Sequence, residues 1–488
     1  MMTTKQTRRE FVKRTTAGIA GIAATQFVSS AVPSSEAAQV KTVSPKGQIA
    51  VWLTSGEARY AAQAPLTWQA APKPDAREVI RVAPDKMFQD VLGFGAAFTD
   101  AACWNFDRLA PADREKLFSD LYSPSQMNLN VGRVCMGSSD YATKLYSYND
   151  SVDPDPELTK FSIAHDRGYI LPALREARAL NPDLWLLASP WSPPGWMKFN
   201  NSMLGGSMRR KWLPAYAQYF HKFLAAYEKE GVRIDSVSPQ NEVDTDQDGR
   251  MPACAWPQEY EIEFVRDHLG PVLARQHPDT HIWILDHNYN LWGRAICELE
   301  DEGARKYIKG VAWHGYVGDP SAMTRVHERF PEIGQFWTEG GPDYTDPKYQ
   351  TDWPKWSKAF TDILRNRARC IIAWNYALDE VGTPNIGPFP CGGLVTVHSK
   401  TRQVTHSGQY WALAHFSRHV RRGARVVSTV SAAPVEGVSH VAFVNPDGSN
   451  VAVLTNTRNT ATAVPFAVGQ SQATVHLPAD SVTTLAWK

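Results

Sequence analysis

The chain has 488 residues, 43% of them hydrophobic and 21% charged, with 51 Lys and Arg against 50 Asp and Glu. That hydrophobic content fills a large core and excludes wholesale disorder, while a formal charge of +1 excludes the basic field that nucleic-acid binding needs. No apolar run reaches the eighteen or so residues of a stable membrane span.

In chain order, the first element is a leader. Thr7-Arg8-Arg9-Glu10-Phe11-Val12-Lys13 sets paired arginines before a weakly hydrophobic stretch, Ala17 to Val28. Small residues, Ser34-Ser35-Glu36-Ala37-Ala38, follow as a cleavage site. This pattern resembles a twin-arginine export signal, so residues 1–37 are set apart from the fold. It makes the twin-arginine export machinery a partner and a periplasmic or secreted location the expectation. The leader carries Lys5, Arg8, Arg9, Lys13 and Arg14 against Glu10 and Glu36. Without it, 46 basic and 48 acidic residues remain, a charge near −2.

Residues 40–85 are rich in Val, Thr, Ala and Ser, with short alternating runs. From about 86 to 402, apolar runs alternate with helical patterns. The runs are Val91–Phe98, Leu129–Gly137, Leu184–Trp191, Ser236–Val243, His281–Asn288, Ile308–Tyr316, Gln335–Gly341 and Cys370–Tyr376. Each has the length of a buried parallel strand, and several lack two-residue alternation. The clearest helix repeats Leu213, Tyr216, Phe220, Phe223, Leu224 and Tyr227 and stops at Gly231. Residues 403–488 return to β pattern, with Asn445-Pro446-Asp447-Gly448 a strong turn. The expected fold is α/β, a (β/α)8 TIM barrel with a side β-sandwich built from both chain ends. An open doubly wound sheet is the rival. The six cysteines have no metal-type pairing, and their spacing dictates no disulfide.

Polar residues gather at the C-terminal ends of the runs, which favours the barrel, since those ends converge on one mouth. They include Asp100, Arg133 with Asp140, Trp191, Asn241-Glu242, Asp286-His287-Asn288, His314, Tyr316, Glu339 and Trp374-Asn375. Glu242 and Glu339 end the fourth and seventh runs and would face each other across the mouth. Two opposed carboxylates are the equipment of glycoside hydrolysis, one as acid/base and one as nucleophile. Asn241 would reach a sugar 2-hydroxyl. The 17 Trp and 17 Tyr are core residues or sugar platforms, and composition does not choose between them.

These stretches resemble glycoside hydrolase family 30, the glucosylceramidase-type retaining β-glycosidases. The resemblance runs through Gln89–Asp100, Tyr146-Ser147-Tyr148, Ser189–Lys198, Gln240-Asn241-Glu242, His314-Gly315-Tyr316, Thr338-Glu339-Gly340 and Trp374–Asp379. It implies Glu242 as acid/base and Glu339 as nucleophile. It implies Asp100, Trp191, Asn241 and Trp374 as holders of the nonreducing sugar, with His314 and Tyr316 beside the nucleophile. Asp100 also reads as a helix N-cap. Two departures stand out: Val243 follows Glu242 where many members have proline, and Gly315 replaces an aromatic. Trp256, Tyr289, Trp292 and Tyr344 are the candidates to rebuild that wall.

The resemblance implies a β-glycoside substrate: an oligosaccharide, a glucan or a glycolipid. Glucosylceramide-like β-glucosides head the expectation, with β-1,6-glucan and β-xylosides as alternatives. A carbohydrate-binding protein on an inactive barrel is the non-enzyme alternative. No metal or organic cofactor is implied, because two carboxylates suffice for the chemistry.

Overall fold

The computed structural model describes residues 45, 47–70, 79–244, 249–431 and 433–488, so the expected leader lies outside the described residues. All eight apolar runs become parallel strands of one closed barrel. They are β1 (Gly93–Phe98), β2 (Val131–Cys135), β3 (Trp185–Ser189), β4 (Ser236–Val237), β5 (His281–Asn288), β6 (Ile308–His314), β7 (Gly334–Glu339) and β8 (Ala368–Asn375). Helices cover their outer faces, so most strand positions are buried on both sides and the sequence does not alternate.

The barrel is plugged at its base by apolar side chains. Trp283 of β5 and Phe336 of β7 stack there, with centroids 3.7 Å apart and planes 5° apart. Gly310 of β6 makes room for them, since a Cβ there would lie 2.4 Å from Phe336 and 3.0 Å from Trp283. The expected helix spans Leu213–Lys229 and buries Tyr216, Phe220, Phe223 and Tyr227. Gly231, with φ +77°, terminates it as the sequence indicates.

Both chain ends enter one ten-stranded sheet that forms the side sandwich. Gln48–Ser55 pairs antiparallel with Ser481–Trp487, Ala50 lying opposite Ala486 and Thr54 opposite Val482. Ile80–Asp90 lies between Arg425–Val430 and Thr462–Val468. The N-terminal share of the sheet therefore runs to Asp90 rather than 85, and the C-terminal share begins at Arg425 rather than 403. The Asn445–Gly448 turn closes the hairpin of Val438–Val444 and Asn450–Asn456 as its residues require, with Gly448 N–H donating to Asn445 O at 2.9 Å.

Helix Gly408–Ser417 joins barrel and sandwich. Phe416 packs on Phe94 and Phe360. His415, buried and held neutral with its pKa down to about 3, hydrogen-bonds Thr54 and Thr484 at 2.8 Å each. All six cysteines are free thiols. No helix among the described residues is long and apolar enough to cross a membrane.

Candidate active site

The mouth is shaped where strands depart from regular geometry. β4 has only two residues, because Pro239 has no N–H to extend the ladder. The chain then curls across the rim. Asn241 N–H donates to Pro190 O at 2.8 Å, and Glu242 N–H donates to Asp286 O at 3.0 Å. The Gln240 side-chain amide donates to Trp191 O at 2.7 Å. These bonds hold Glu242 at φ +50°, a left-handed conformation that costs an L-residue about 1–3 kcal/mol.

Bulges do similar work on the neighbouring strands. Leu285 and Asp286 are both left-handed, and the register of β5 with β6 slips at this point. Consecutive residues Asp286 and His287 thereby both reach the site, where a regular strand would send them to opposite faces. A second slip between β6 and β7 lets Thr338 and Glu339 both point inward. The Thr338 hydroxyl donates to Asp286 Oδ1 at 2.8 Å.

Arg133, on β2, is a buried cation beneath the carboxylates. Its guanidinium donates to Glu339 Oε2, to Asp286 Oδ2 at 2.6 Å, to Asn241 Oδ1 at 2.7 Å and to Ser189 Oγ at 3.1 Å. It also lies 4.6 Å from the Trp191 ring centroid. Asp286 accepts further from Ser189 and Ser238. Burial would push the Asp286 carboxyl up, but Arg133 and His314 hold it far below the usual range.

His314 spans the two glutamates. Nδ1 lies 3.1 Å from Glu242 Oε1, Nε2 donates to Asp286 Oδ1 at 3.2 Å, and Nε2 is 3.8 Å from Glu339 Oε2. Burial alone would depress its pKa; Glu339, Asp286 and Glu242 raise it instead to about 9. Tyr316 OH donates to Glu339 Oε1 at 3.0 Å, so both oxygens of that carboxylate are held. Burial raises the Glu339 pKa, and His314 and Arg133 oppose the rise.

Above this layer lies a cavity of about 510 Å³, lined by Glu242, Glu339, Trp191, Trp374, Asp140 and Tyr316 among others. Trp191 and Trp374 stack with centroids 5.1 Å apart and form one wall. Asp140 is buried beside them and shows no ion pair among the described residues. Burial, then the facing Glu339 and Glu242, push its carboxyl well above the ordinary range. Val317, Phe389, Pro390 and Met251 close the outer rim.

The structure thus brings Glu242, Glu339, Trp191, Trp374 and Tyr316 to one cavity, with Asn241 and His314 directly beneath. Asp100 is a correction. Its carboxylate is consumed by His165 Nε2 at 2.7 Å, Tyr169 OH at 2.6 Å and the Thr143 N–H, and it does not line the cavity. Nor is it the N-cap: Thr99 caps helix Asp100–Asp107 by accepting from Ala102 N–H. Asp140, in the loop after β2, occupies the position Asp100 was expected to fill. The four aromatics expected to rebuild the wall also lie elsewhere; Trp256 and Tyr289 are buried in the main core, and neither Trp292 nor Tyr344 lines the cavity. Where Gly315 stands, a Cβ would lie 2.9 Å from the Trp337 indole nitrogen, so glycine is what that packing admits.

With this geometry in view, two family models match the chain. The Glycosyl hydrolase family 30 TIM-barrel domain covers residues 91–420, and the Glycosyl hydrolase family 30 beta sandwich domain covers 423–485. An endo-1,6-β-D-glucanase of Neurospora crassa is 34% identical over 390 residues, covering 76% of this chain and 80% of its own. A putative glucosylceramidase 4 of Caenorhabditis elegans is 33% identical over 413 residues, covering 78% and 77%. The crystal structure of SrfJ from Salmonella typhimurium superposes with a TM-score of 0.86 at 27% identity, covering 91% of this chain and all of that one.

Proposed function

The chain belongs to glycosyl hydrolase family 30, and from that premise we propose that it is a retaining β-glycosidase that cleaves β-glucosidic bonds by double displacement. Glu339 is the nucleophile and Glu242 the acid/base. The observation that carries this reading is the meeting of both carboxylates in one cavity, coupled through His314 and walled by Trp191 and Trp374.

In the first step the Glu339 carboxylate attacks the anomeric carbon while Glu242 protonates the departing oxygen, leaving a glycosyl ester on Glu339. In the second, Glu242 takes a proton from water, which attacks the same carbon and frees Glu339. Arg133 and Tyr316 fix the attacking carboxylate. Asn241 has its oxygen on Arg133, which leaves its amide N–H to meet the sugar 2-hydroxyl. Asp140 grips neighbouring hydroxyls, and the Trp191–Trp374 wall takes the apolar sugar face.

β-1,6-linked glucan is the favoured substrate, supported by the identity to the Neurospora crassa enzyme. Glucosylceramide is the second reading, favoured by the half-exposed apolar Val317 and Phe389 at the rim. Initial rates on gentio-oligosaccharides, glucosylceramide vesicles and nitrophenyl β-glucoside and β-xyloside separate these. Glu339→Gln is expected to abolish turnover without unfolding, and azide is expected to restore turnover to Glu339→Gly with inverted product. Unchanged turnover in Glu339→Gln would overturn the assignment. We further propose export by the twin-arginine route, supported by Arg8-Arg9 and the stretch that follows. Substituting both by lysine is expected to retain the protein in the cytoplasm.

A further inference from the structure

We propose that Glu242, His287 and His314 form a binding site for a borderline divalent cation of the Zn²⁺ type, and that its occupancy blocks hydrolysis. One ligand atom from each of the three lies within 4.8 Å of the others. Glu242 Oε1 is 3.1 Å from His314 Nδ1 and 3.6 Å from His287 Nδ1. Ligand atoms around a tetrahedral zinc, with bonds near 2.0–2.1 Å, stand about 3.3 Å apart. These two distances bracket that spacing, and ring movements that draw the two histidines together complete the site.

A second observation points to a ligand. His287 Nδ1 is buried and has no hydrogen-bond partner among the described residues, although it faces Glu242. The opposite nitrogen, Nε2, lies 2.7 Å from Asp244 Oδ1. With the proton donated there, Nδ1 presents a lone pair toward Glu242. His314 has the same placement, with Nε2 on Asp286 and Nδ1 toward Glu242, and an incoming ion displaces its Nδ1 proton.

Both imidazoles are therefore backed by a carboxylate, the outer shell that orients metal-bound histidine and raises its basicity. Two histidines and one glutamate are also a ligand set that zinc accepts with a fourth position open. That open position would face the cavity. Coordination requires each ligating nitrogen to be unprotonated, so any Nδ1 proton is released to solvent. Glu242, once bound to the ion, can no longer donate a proton to a leaving group. The inhibition rests on the acid/base role proposed above; the binding does not.

Equilibrium dialysis of the metal-free full chain against Zn²⁺ tests the site, with Co²⁺ absorption as a report on tetrahedral nitrogen and oxygen ligation. The wild type is expected to bind one equivalent, to lose β-glucoside hydrolysis in parallel, and to recover it with a chelator. Asp244→Asn and His287→Phe are each expected to raise the half-saturating Zn²⁺ about 10–100-fold. Asp244 is half-exposed, so its variant keeps the test valid if the buried substitution misfolds. Coincident Zn²⁺ titrations for wild type and Asp244→Asn would overturn the proposal, as would no bound Zn²⁺ in the wild type. Dialysis reads binding without turnover, so an enzyme inactive on every glycoside would still decide the ion site.

Discussion

Exchanging Asp140 and Asp100 in turn for asparagine should move stability and activity in opposite directions. Asp140 is buried, faces Glu242 and Glu339, and has no ion pair among the described residues. Its carboxyl accepts from the backbone N–H groups of Asp140 and Tyr141, but burial and two facing like charges oppose its ionisation, so Asp140→Asn is expected to stabilise the fold by about 1 kcal/mol or more. The sign follows from the raised pKa. Such a group contributes fully below the unfolded carboxylate value and loses that contribution as pH rises through the folded value. Asparagine cannot ionise, so the gain is larger at pH 7 than at pH 4. Activity should fall, because the carboxyl's two hydrogen bonds to sugar hydroxyls, made in its uncharged form, are worth about 0.5–1.5 kcal/mol each. That corresponds to a drop in kcat/KM of about 5–150-fold. Asp100 is the mirror image. Its oxygens accept from His165, Tyr169 and Thr143, so Asp100→Asn should destabilise by about 2–4 kcal/mol with a smaller effect on kcat/KM. Urea midpoints at both pH values and nitrophenyl β-glucoside kinetics make the comparison. If Asp100→Asn loses more kcat/KM than Asp140→Asn at unchanged stability, the reasoning is wrong.

Asp166 supplies a pH test away from the site. Burial raises its pKa to about 6, although hydrogen bonds from Tyr148, Tyr227 and Tyr146 oppose the rise. Its stabilising contribution is full below about pH 4 and is lost as pH climbs through 6, on the order of 3 kcal/mol. Asp166→Asn should flatten that slope, and parallel urea midpoints from pH 4 to 7 would refute it. Gly315→Ala should cost about 1–3 kcal/mol by driving a Cβ to 2.9 Å from Trp337. An unchanged thermal midpoint would show that Trp337 yields freely.

How far the sequence reaches is clearest along the strands. Eight apolar runs were enough to place eight barrel strands, since a strand buried on both faces writes itself as an unbroken run. The run ending in Glu242 was read as longer than the strand it forms, because Pro239 stops the ladder early and a left-handed turn follows. Glu242 and Glu339 were legible as charges closing apolar strands. Asp140 was visible near the end of β2, but its loop's path, which carries it into the cavity, leaves no periodic trace. His287 depends on the bulge at Leu285 and Asp286, and strict alternation would turn it away from the site. Asp100 misled for the converse reason. It follows a strand end, but the chain turns at once into a helix that faces His165 and Tyr169.

The pairing of Gln48–Ser55 with Ser481–Trp487 sets a clock on the whole molecule. Ala50 leaves the ribosome roughly 430 residues before Ala486, which at about 5–20 residues per second is a wait of some 20–90 s. Throughout that interval the early strand has no partner on this side, while the barrel that follows it is free to assemble. This side of the sheet closes only after Ser481–Trp487 has been made. A chain cut short before Ser481 leaves that edge permanently open, so truncated copies carry a marker of incompleteness that quality-control proteases can read.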